Sequence, residues 1–341
     1  MGDHDALFKR IFSVPANAAG ELRSILPAEL AAALDFSRLE LVPGAWVGNA
    51  MDTRYPDLVF RAPLMERGDD GEERHVYLHV PLYTLMEHQS RPHPRMPLRG
   101  LEYTLGIWQQ LLRDEPSRKT LPPVITLVVH HGPGGWTAPR SLHDMVEGLD
   151  RFPALRSLVP NFELIIDDLA LADDEQLLAR PLLSVPKVAV WLLRDGRQLE
   201  AVLTHIGAWK DELTRVVREA PDEAMLFLRY ISLRATERSY QEFRRVILET
   251  IPAAEAPLAT IADELKQLGR QEGRQEGRQE GRQEGAVDAL RAVLALQIEQ
   301  RFGPLDPTVQ ALIAAADIDA LQRALSRVAV VSDLGAVFPP H

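Results

Sequence analysis

The chain has 341 residues, of which 46% are hydrophobic and 26% are charged, and its formal net charge is −11. This length and composition predict about two or three globular pieces and exclude a disordered chain. No apolar run is long enough for a membrane helix and the N-terminus lacks a signal-peptide pattern, so the sequence predicts a cytoplasmic protein that does not enter a membrane. The chain has no cysteine, which excludes disulfides, thiolate metal sites and cysteine nucleophiles.

Patterns of helix and strand alternate over the first half of the chain. Helices are predicted at residues 3–12, at 15–33 with a break at Pro27, and at 98–113. Strands are predicted at residues 39–42, 57–62, 75–89, 122–129 and 162–166, with a turn at 67–71 and a bulge or edge position at Pro81. This order predicts an α/β protein in which a sheet is flanked by helices.

The second half of the chain has helical patterns. Apolar residues recur at spacings of three and four over residues 177–251, which predicts a helical annex. A Gly-Arg-Gln-Glu repeat then runs from Gly269 to Gly285. Each glycine costs about 1 kcal/mol in a helix interior, and the repeat places no opposite charges three or four residues apart. We therefore predict a solvated, semi-flexible linker that is only marginally helical, and its lack of apolar residues excludes a coiled-coil seam.

The segment after the repeat predicts a small helical module. A helix over 286–302 ends at Gly303, and Asp306 and Asp317 are expected to cap two further helices. Exposed Leu and Val side chains on so small a unit favour homo-oligomerisation or docking on a partner. The predicted domains are a core at 1–175, the annex at 176–265, the linker at 266–285 and the C-terminal module at 286–341.

Acidic and amide groups stand at the ends of two predicted strands. Asp57 begins one strand, and Glu87 and Gln89 end the next. Because residues two apart in a strand point to the same side, pairing of these strands would place Asp57 opposite Glu87 and Gln89. Two carboxylates and a neutral amide on one patch are typical of a small site for a hard metal ion. A solvated rim at the strand end is the alternative explanation of the same residues.

Such a patch suits phosphodiester hydrolysis, in which a metal ion offsets charge on the phosphate and lowers the pKa of the attacking water. Mg²⁺ prefers oxygen ligands and often keeps several waters. Asp57, Glu87 and the backbone carbonyl of His88 could therefore hold Mg²⁺, or Mn²⁺ in its place. Gln89 would orient the water through hydrogen bonds.

A basic interval directly follows this patch. Arg91, Arg95 and Arg99 stand at the entry to the next predicted helix and are candidate contacts to the phosphate backbone of DNA. The alternative is a solvated helix face that binds nothing.

Four segments carry a family resemblance. They are His4 to Phe12, Pro56-Asp57 with its apolar strand, Met86-Glu-His-Gln-Ser90, and Leu121 to Ile125 running on to His131-Gly132. In these segments the first 170 or so residues resemble the recombination-promoting nuclease (putative transposase) family of the PD-(D/E)XK superfamily. The segment after the linker also resembles a helical domain that follows such nucleases.

The resemblance implies a restriction-endonuclease-like mixed sheet and a Mg²⁺-dependent DNA endonuclease that promotes recombination or DNA rearrangement. It also implies roles for single residues. Asp57 and Glu87 would be metal ligands, Gln89 would replace the usual lysine, and Glu21 would be an additional ligand.

Two other functions stay open at this stage. The first is a nuclease fold that is catalytically weak or inactive and binds DNA or a protein partner. The second is a hydrolase that works through His130 or His131 with Ser141, although the sequence lacks a nucleophile-elbow pattern.

Overall fold

A computed structural model describes residues 3–43, 56–66 and 76–338 of the chain. Its sheet has the spatial order β1-β2-β3-β4-β5, in which β1, β2 and β3 are antiparallel neighbours and β3, β4 and β5 are parallel. The strands are β1 (Glu40–Val42), β2 (Leu58–Glu66), β3 (Val76–Gln89), β4 (Val124–His130) and β5 (Ile165–Asp168). The predicted α/β class is confirmed, and the predicted turn at 67–71 lies outside the described residues.

Three helices precede the sheet in the chain, namely α1 (Asp3–Phe12), α2 (Pro15–Ile25) and α3 (Ala28–Ala33), and α4 (Met96–Asp114) lies between β3 and β4. The predicted break at Pro27 is confirmed, because α2 and α3 end and begin on either side of it. Proline fixes φ and has no N–H to donate, so it is tolerated at a helix start but not in the interior.

The helix α4 covers one face of the sheet. Its residues Tyr103, Ile107 and Leu111 pack on Val42 and Val59 in one apolar cluster. These three positions repeat at a spacing of four, which places them on one side of a helix. The helix α4 therefore forms an apolar core with one face of the sheet.

The long pair of β2 and β3 contains the irregularity predicted at Pro81. Pro63 pairs with Pro81, and the next pair joins Leu64 to Leu78, so β3 contributes extra residues at this point. A strand proline cannot donate a ladder hydrogen bond and is commonly found at such bulges. The prediction of a bulge is confirmed.

The predicted helical annex consists of six helices: α5 (Asp174–Ala179), α6 (Ser184–Asp195), α7 (Leu199–His205), α8 (Lys210–Glu219), α9 (Pro221–Ser232) and α10 (Glu237–Thr250). The helix α6 is buried through most of its length and packs against α1, α2 and α8. Its Trp191 ring stacks on Trp209 at 5.1 Å between ring centroids. The annex therefore joins the sheet-bearing part of the chain as one body.

The chain divides into an N-terminal unit, Met1–Ile261, and a C-terminal unit, Ala262–His341. The boundary lies within α11 (Glu255–Phe302), which contains the whole Gly-Arg-Gln-Glu repeat. Our prediction that the repeat is only marginally helical is thus corrected, since the structure places it inside one continuous helix. Leu258 and Ile261 are buried before the repeat and Leu294 and Ile298 after it, so the nucleation cost of the helix is met by packing at both ends.

The C-terminal unit continues with α12 (Pro307–Ala315) and α13 (Ile318–Val328). Asp306 accepts hydrogen bonds from the N–H groups of Thr308 and Val309, and Asp317 accepts one from Ala320, so both predicted N-caps are confirmed. Its apolar core includes Leu294, Ile298, Val309, Ile313, Leu321, Ala324 and Val328. No helix in the described ranges is long and apolar enough to cross a membrane.

Candidate functional site

The carboxylate of Asp57 is fixed at the point where β2 begins and β3 ends. Leu58 pairs with Met86, so Asp57 stands one step before the first ladder pair. The Asp57 Oδ2 atom accepts a hydrogen bond of 2.9 Å from the backbone N–H of His88. The backbone of Glu87 pairs with Val128 of β4, while its side chain lies outside what the structure describes. The structure therefore places Asp57 beside the end of β3, as the sequence predicts.

A lysine from α1 contacts the same carboxylate. The Lys9 Nζ atom lies 2.8 Å from Asp57 Oδ1 and 3.2 Å from Asp5 Oδ1. Asp5 and Lys9 are four residues apart and so share one side of the helix. The two carboxylates raise the pKa of Lys9 above its usual value, against the opposing effect of burial. Lys9 is thus held as a cation beside Asp57.

A cavity of about 380 Å³ opens at this carboxylate. Its lining comes from α1, the start of β2, the end of β3, α4 and the segment after α6. The lining residues are His4, Asp5, Asp57, His88, Gln89, Ser90, Arg99 and Arg197. Elements that are distant in the sequence therefore converge on one concave site, as is usual for binding sites.

The end of β3 is held by β4. The Gln89 carbonyl accepts hydrogen bonds from His130 Nδ1 at 2.9 Å and from the backbone N–H of His131 at 3.4 Å. A Cβ atom on Gly132 would lie only 2.3 Å from the Ser90 carbonyl oxygen, so glycine is required for this close approach. The backbone of Gln89, which lines the cavity, is thus positioned by β4 and the residues that follow it.

Of the three predicted DNA-contacting arginines, the structure brings one to the cavity. Arg99 lines the cavity and donates to the Tyr103 hydroxyl at 2.9 Å. Arg91 and Arg95 are exposed and do not belong to the described lining. Arg197 also lines the cavity and was missed by the sequence analysis, since it follows α6 and lies more than a hundred residues from Asp57 in the chain.

A stack of aromatic rings supports the floor of the site. The His88 and His131 rings lie parallel at 4.6 Å, and the His4 and His131 rings are 4.8 Å apart. The Phe8 ring of α1 stacks on the other side of His88 at 5.0 Å. Tyr230 of α9 contacts His4 through its hydroxyl group. These contacts tie the N-terminal helix and the annex to the end of β3.

The three histidines are neutral at pH 7. Burial, with contributions from neighbouring cations such as Arg197, lowers the pKa of His4 to about 4, that of His88 to about 3 and that of His131 to about 2. In the described part of the chain, neither ring nitrogen of His131 has a hydrogen-bond partner. A charged imidazole would be costly in this position, so the stack supplies packing and not positive charge.

Glu21, proposed as an additional metal ligand, does not belong to the described lining of the cavity. It is fully buried, and its Oε1 atom accepts a hydrogen bond of 3.0 Å from Arg180, which also binds Asp167 at 2.8 Å and 2.9 Å. Burial, and secondarily the charge of Asp167, raises the pKa of Glu21 well above its usual value. Glu21 is therefore engaged by Arg180 of the annex and not by the cavity, because a buried carboxyl group is stabilised by a neighbouring cation.

A second cavity, of about 820 Å³, lies beside His131 and Arg197. Three of its residues, Asp174, Asp195 and His205, bring possible ligand atoms within 4.8 Å of one another. The Arg194 guanidinium binds both carboxylates, and the indole N–H of Trp191 also donates to Asp195, at 2.8 Å. These acceptors are thus already used within an ion-pair network.

The hydrolase interpretation gains no support from Ser141. The Ser141 hydroxyl oxygen accepts a hydrogen bond from the Asp144 N–H, and Asp144 in turn accepts one from the Ser141 N–H at 2.8 Å. The described hydrogen bonds of this serine include neither His130 nor His131. The residue therefore shapes a turn.

Comparison with known proteins gives one family and several relatives. The family model described as "Putative transposase, YhgA-like" matches residues 2–220. The recombination-promoting nuclease RpnD of Escherichia coli O157:H7 is 24% identical over 264 residues, which cover 77% of this chain and 93% of that protein. The recombination-promoting nuclease RpnC of Escherichia coli K12 is 28% identical over 129 residues, covering 38% and 39%. No solved structure matches the chain significantly.

Proposed function

The chain belongs to the YhgA-like putative transposase family, and on this premise we propose that it is a metal-dependent DNA endonuclease that hydrolyses phosphodiester bonds and promotes DNA recombination. The relatives named recombination-promoting nucleases support a nuclease role. The order of the elements, with three antiparallel strands, α4 and two parallel strands, supports the PD-(D/E)XK core expected from the sequence, within residues 1–175.

The anchoring of Asp57 is the observation that carries this proposal. The His88 N–H donates a hydrogen bond to its carboxylate where β2 begins and β3 ends, and Asp57 lines the same cavity as Gln89. A carboxylate fixed by the backbone of a sheet is pre-organised, so little conformational entropy is lost when it binds a ligand.

The oxygen donors at this point fit a hard divalent cation. Asp57 presents carboxylate oxygens, Glu87 follows on β3, and His88 offers a backbone carbonyl. Each carboxylate oxygen can accept more than one contact, so a cation can bind Asp57 beside the His88 N–H and the Lys9 ammonium group. Asp57, Glu87 and the His88 carbonyl would hold Mg²⁺ or Mn²⁺, which when bound offsets phosphate charge and acidifies a water molecule.

The side chains around the metal ligands have roles in binding DNA. The Gln89 amide would orient the attacking water through hydrogen bonds, since it carries both a donor and an acceptor. Arg99 and Arg197, on different elements of the cavity wall, would contact phosphates of the bound strand, while the exposed Arg91 and Arg95 would contact phosphates further along it.

Nicking of supercoiled plasmid DNA in Mg²⁺ or Mn²⁺ tests the proposal. We expect the wild type to nick and both Asp57→Ala and Glu87→Ala to lose nicking. Asp150→Ala is the matched control, because that carboxylate is 99% exposed and pairs only with the exposed Arg156 among the described contacts. Equal nicking by all four proteins would contradict the proposal. DNA binding without nicking in either metal would favour the alternative of a nuclease-fold binding module.

We also propose that the C-terminal unit mediates self-association. Leu296, Leu312 and Val330 of this unit expose 55%, 45% and 77% of their surface. Light scattering of the full chain and of the triple variant with Asn at these positions would test it. A dimer or larger assembly that dissociates in the variant is expected, and a monomeric wild type would contradict the proposal.

A further inference from the structure

The ammonium group of Lys9 on α1 lies beside Asp57, which lines the proposed nuclease site. We propose that Lys9 contacts a non-bridging oxygen of the phosphodiester bound beside Asp57. The inference rests on the proposed function, because the contact is made to the phosphate that is hydrolysed. Negative charge grows on those oxygens during the reaction, and a fixed cation beside them stabilises it.

The position of the ammonium group suits this role. Lys9 Nζ lies 2.8 Å from Asp57 Oδ1 and 3.2 Å from Asp5 Oδ1. A lysine ammonium carries three N–H donors, and in the described part of the chain these two carboxylates take two of them. The Lys9 side chain is 31% exposed, and we assign its third donor to a substrate oxygen.

Packing fixes the helix from which Lys9 projects. Leu7, Phe8, Ile11 and Phe12 of α1 are buried to 98% or more, and α1 packs against α6. Phe8, the neighbour of Lys9, stacks on the ring of His88, which stands between the proposed metal ligand Glu87 and Gln89. The helix and the end of β3 therefore form one packed body, and Lys9 holds a set position relative to Asp57.

A purely structural ion pair would behave differently. Partly exposed salt bridges contribute little to stability, commonly about 0–1 kcal/mol, so loss of the Lys9–Asp57 pair alone would change the stability of the folded protein little. A lysine that contacts no phosphate also leaves the salt dependence of DNA binding unchanged when it is removed. A lysine that contacts phosphate adds to the salt dependence of DNA binding, because each neutralised phosphate releases counterions. The salt slope therefore separates the two roles without depending on cleavage.

The experiment compares the full-length wild type with Lys9→Met, Lys9→Arg and the control Arg10→Met. Arg10 is the exposed neighbour of Lys9 on α1, and its replacement changes the net charge equally. Binding to a short DNA duplex is measured at several NaCl concentrations in constant Ca²⁺, and single-turnover cleavage of the same duplex is measured in Mg²⁺. Lys9→Gln replaces Lys9→Met if the methionine variant does not fold by circular dichroism.

We expect Lys9→Met to reduce the slope of log K against log salt by about 0.9 and Arg10→Met to leave it unchanged. Cleavage by Lys9→Met should fall by about 10²–10³-fold, and Lys9→Arg should recover part of it. An unchanged slope, or cleavage within about threefold of the wild type, would overturn the role of Lys9. If the wild type cleaves in no divalent ion, the proposed hydrolysis fails, and the slope alone still decides whether Lys9 contacts phosphate.

Discussion

The backbone N–H of His88 donates to the Asp57 carboxylate at 2.9 Å, although 31 positions separate the two residues. The orientation of the acid thus depends on where β3 ends. The end of β3 is in turn held by β4, through the hydrogen bonds that the Gln89 carbonyl accepts from His130 and His131. Changes on β4 should therefore reach Asp57.

Gly132→Ala tests this coupling. The new Cβ would lie 2.3 Å from the Ser90 carbonyl oxygen and 2.8 Å from a ring carbon of His130, so the backbone at the end of β3 must move. We expect a loss of about 1–3 kcal/mol in the free energy of unfolding, as for other overpacked sites, and a loss of nicking.

The matched control for this change is Gly207→Ala. A Cβ on Gly207 meets nothing within 4 Å, so the variant should keep its nicking and its stability. Urea unfolding followed by tryptophan fluorescence measures the effect on the N-terminal unit alone, because all five tryptophans precede residue 262. Equal behaviour of the two variants would show that the close approach at Gly132 does not position the strand.

The buried network of Arg180, Glu21 and Asp167 should be asymmetric. Arg180→Met leaves two buried carboxyl groups without a cation, which typically costs about 3–5 kcal/mol. Glu21→Gln should cost about 1 kcal/mol or less, because burial already raises the pKa of Glu21 and an amide oxygen still accepts from Arg180. The same fluorescence measurement applies, and a larger loss for Glu21→Gln than for Arg180→Met would refute this assignment of charges.

The histidine stack predicts a specific dependence of stability on pH. Folding lowers the pKa of His4 from 6.5 to about 4, that of His88 to about 3 and that of His131 to about 2. Below pH 6.5 the unfolded chain therefore binds more protons than the folded protein. The stabilisation by the neutral rings is complete above pH 6.5. It is lost as the pH falls below this value, down to about 4 for His4, about 3 for His88 and about 2 for His131. His131→Phe keeps a ring in the stack but removes one titrating group.

In that variant, the free energy of unfolding of the N-terminal unit should fall less steeply from pH 6.5 to pH 4 than in the wild type. Urea midpoints at a series of pH values give both curves. Parallel curves would mean that His131 does not contribute to the acid sensitivity.

Sequence patterns were sufficient for the features that depend on neighbours along the chain. The break at Pro27, the bulge at Pro81, the two aspartate N-caps and the presence of five strands follow from local geometry and were predicted, although β5 begins three residues later than expected. The position of Asp57 at the end of β3 could also be predicted, because alternation along a strand determines which residues share a side.

Lys9 and Arg197 could not be predicted as neighbours of Asp57. An amphipathic pattern shows which side of a helix is buried but not which element it packs against, and these contacts join α1 and the segment after α6 to the end of β3. The Arg180 partner of Glu21 is a similar case, since it comes from the annex. For the same reason, local helix propensity gave the wrong prediction for the repeat. Its helical state depends on the packing of the residues before and after it in α11.

The repeat offers a test with opposite outcomes for the same substitution. Gly281 lies inside α11, where an added Cβ would meet nothing within 4 Å, whereas Gly303 follows the end of the helix with φ of +94°. Gly281→Ala should stabilise the C-terminal unit by up to about 1 kcal/mol and raise helicity, because alanine is the better helix former. Gly303→Ala should destabilise it by about 1 kcal/mol or more, because a Cβ is strained at positive φ.

Far-UV circular dichroism of the full chain measures both changes, through helicity at low temperature and through the midpoint of thermal unfolding. The C-terminal unit contains no tryptophan, so the fluorescence transition of the N-terminal unit should stay in place and serves as an internal control. If Gly281→Ala changed neither helicity nor the midpoint while Gly303→Ala still destabilised the unit, the repeat would be the solvated linker that its glycines favour. The opposite signs are expected only if packing before and after the repeat maintains a continuous helix through it.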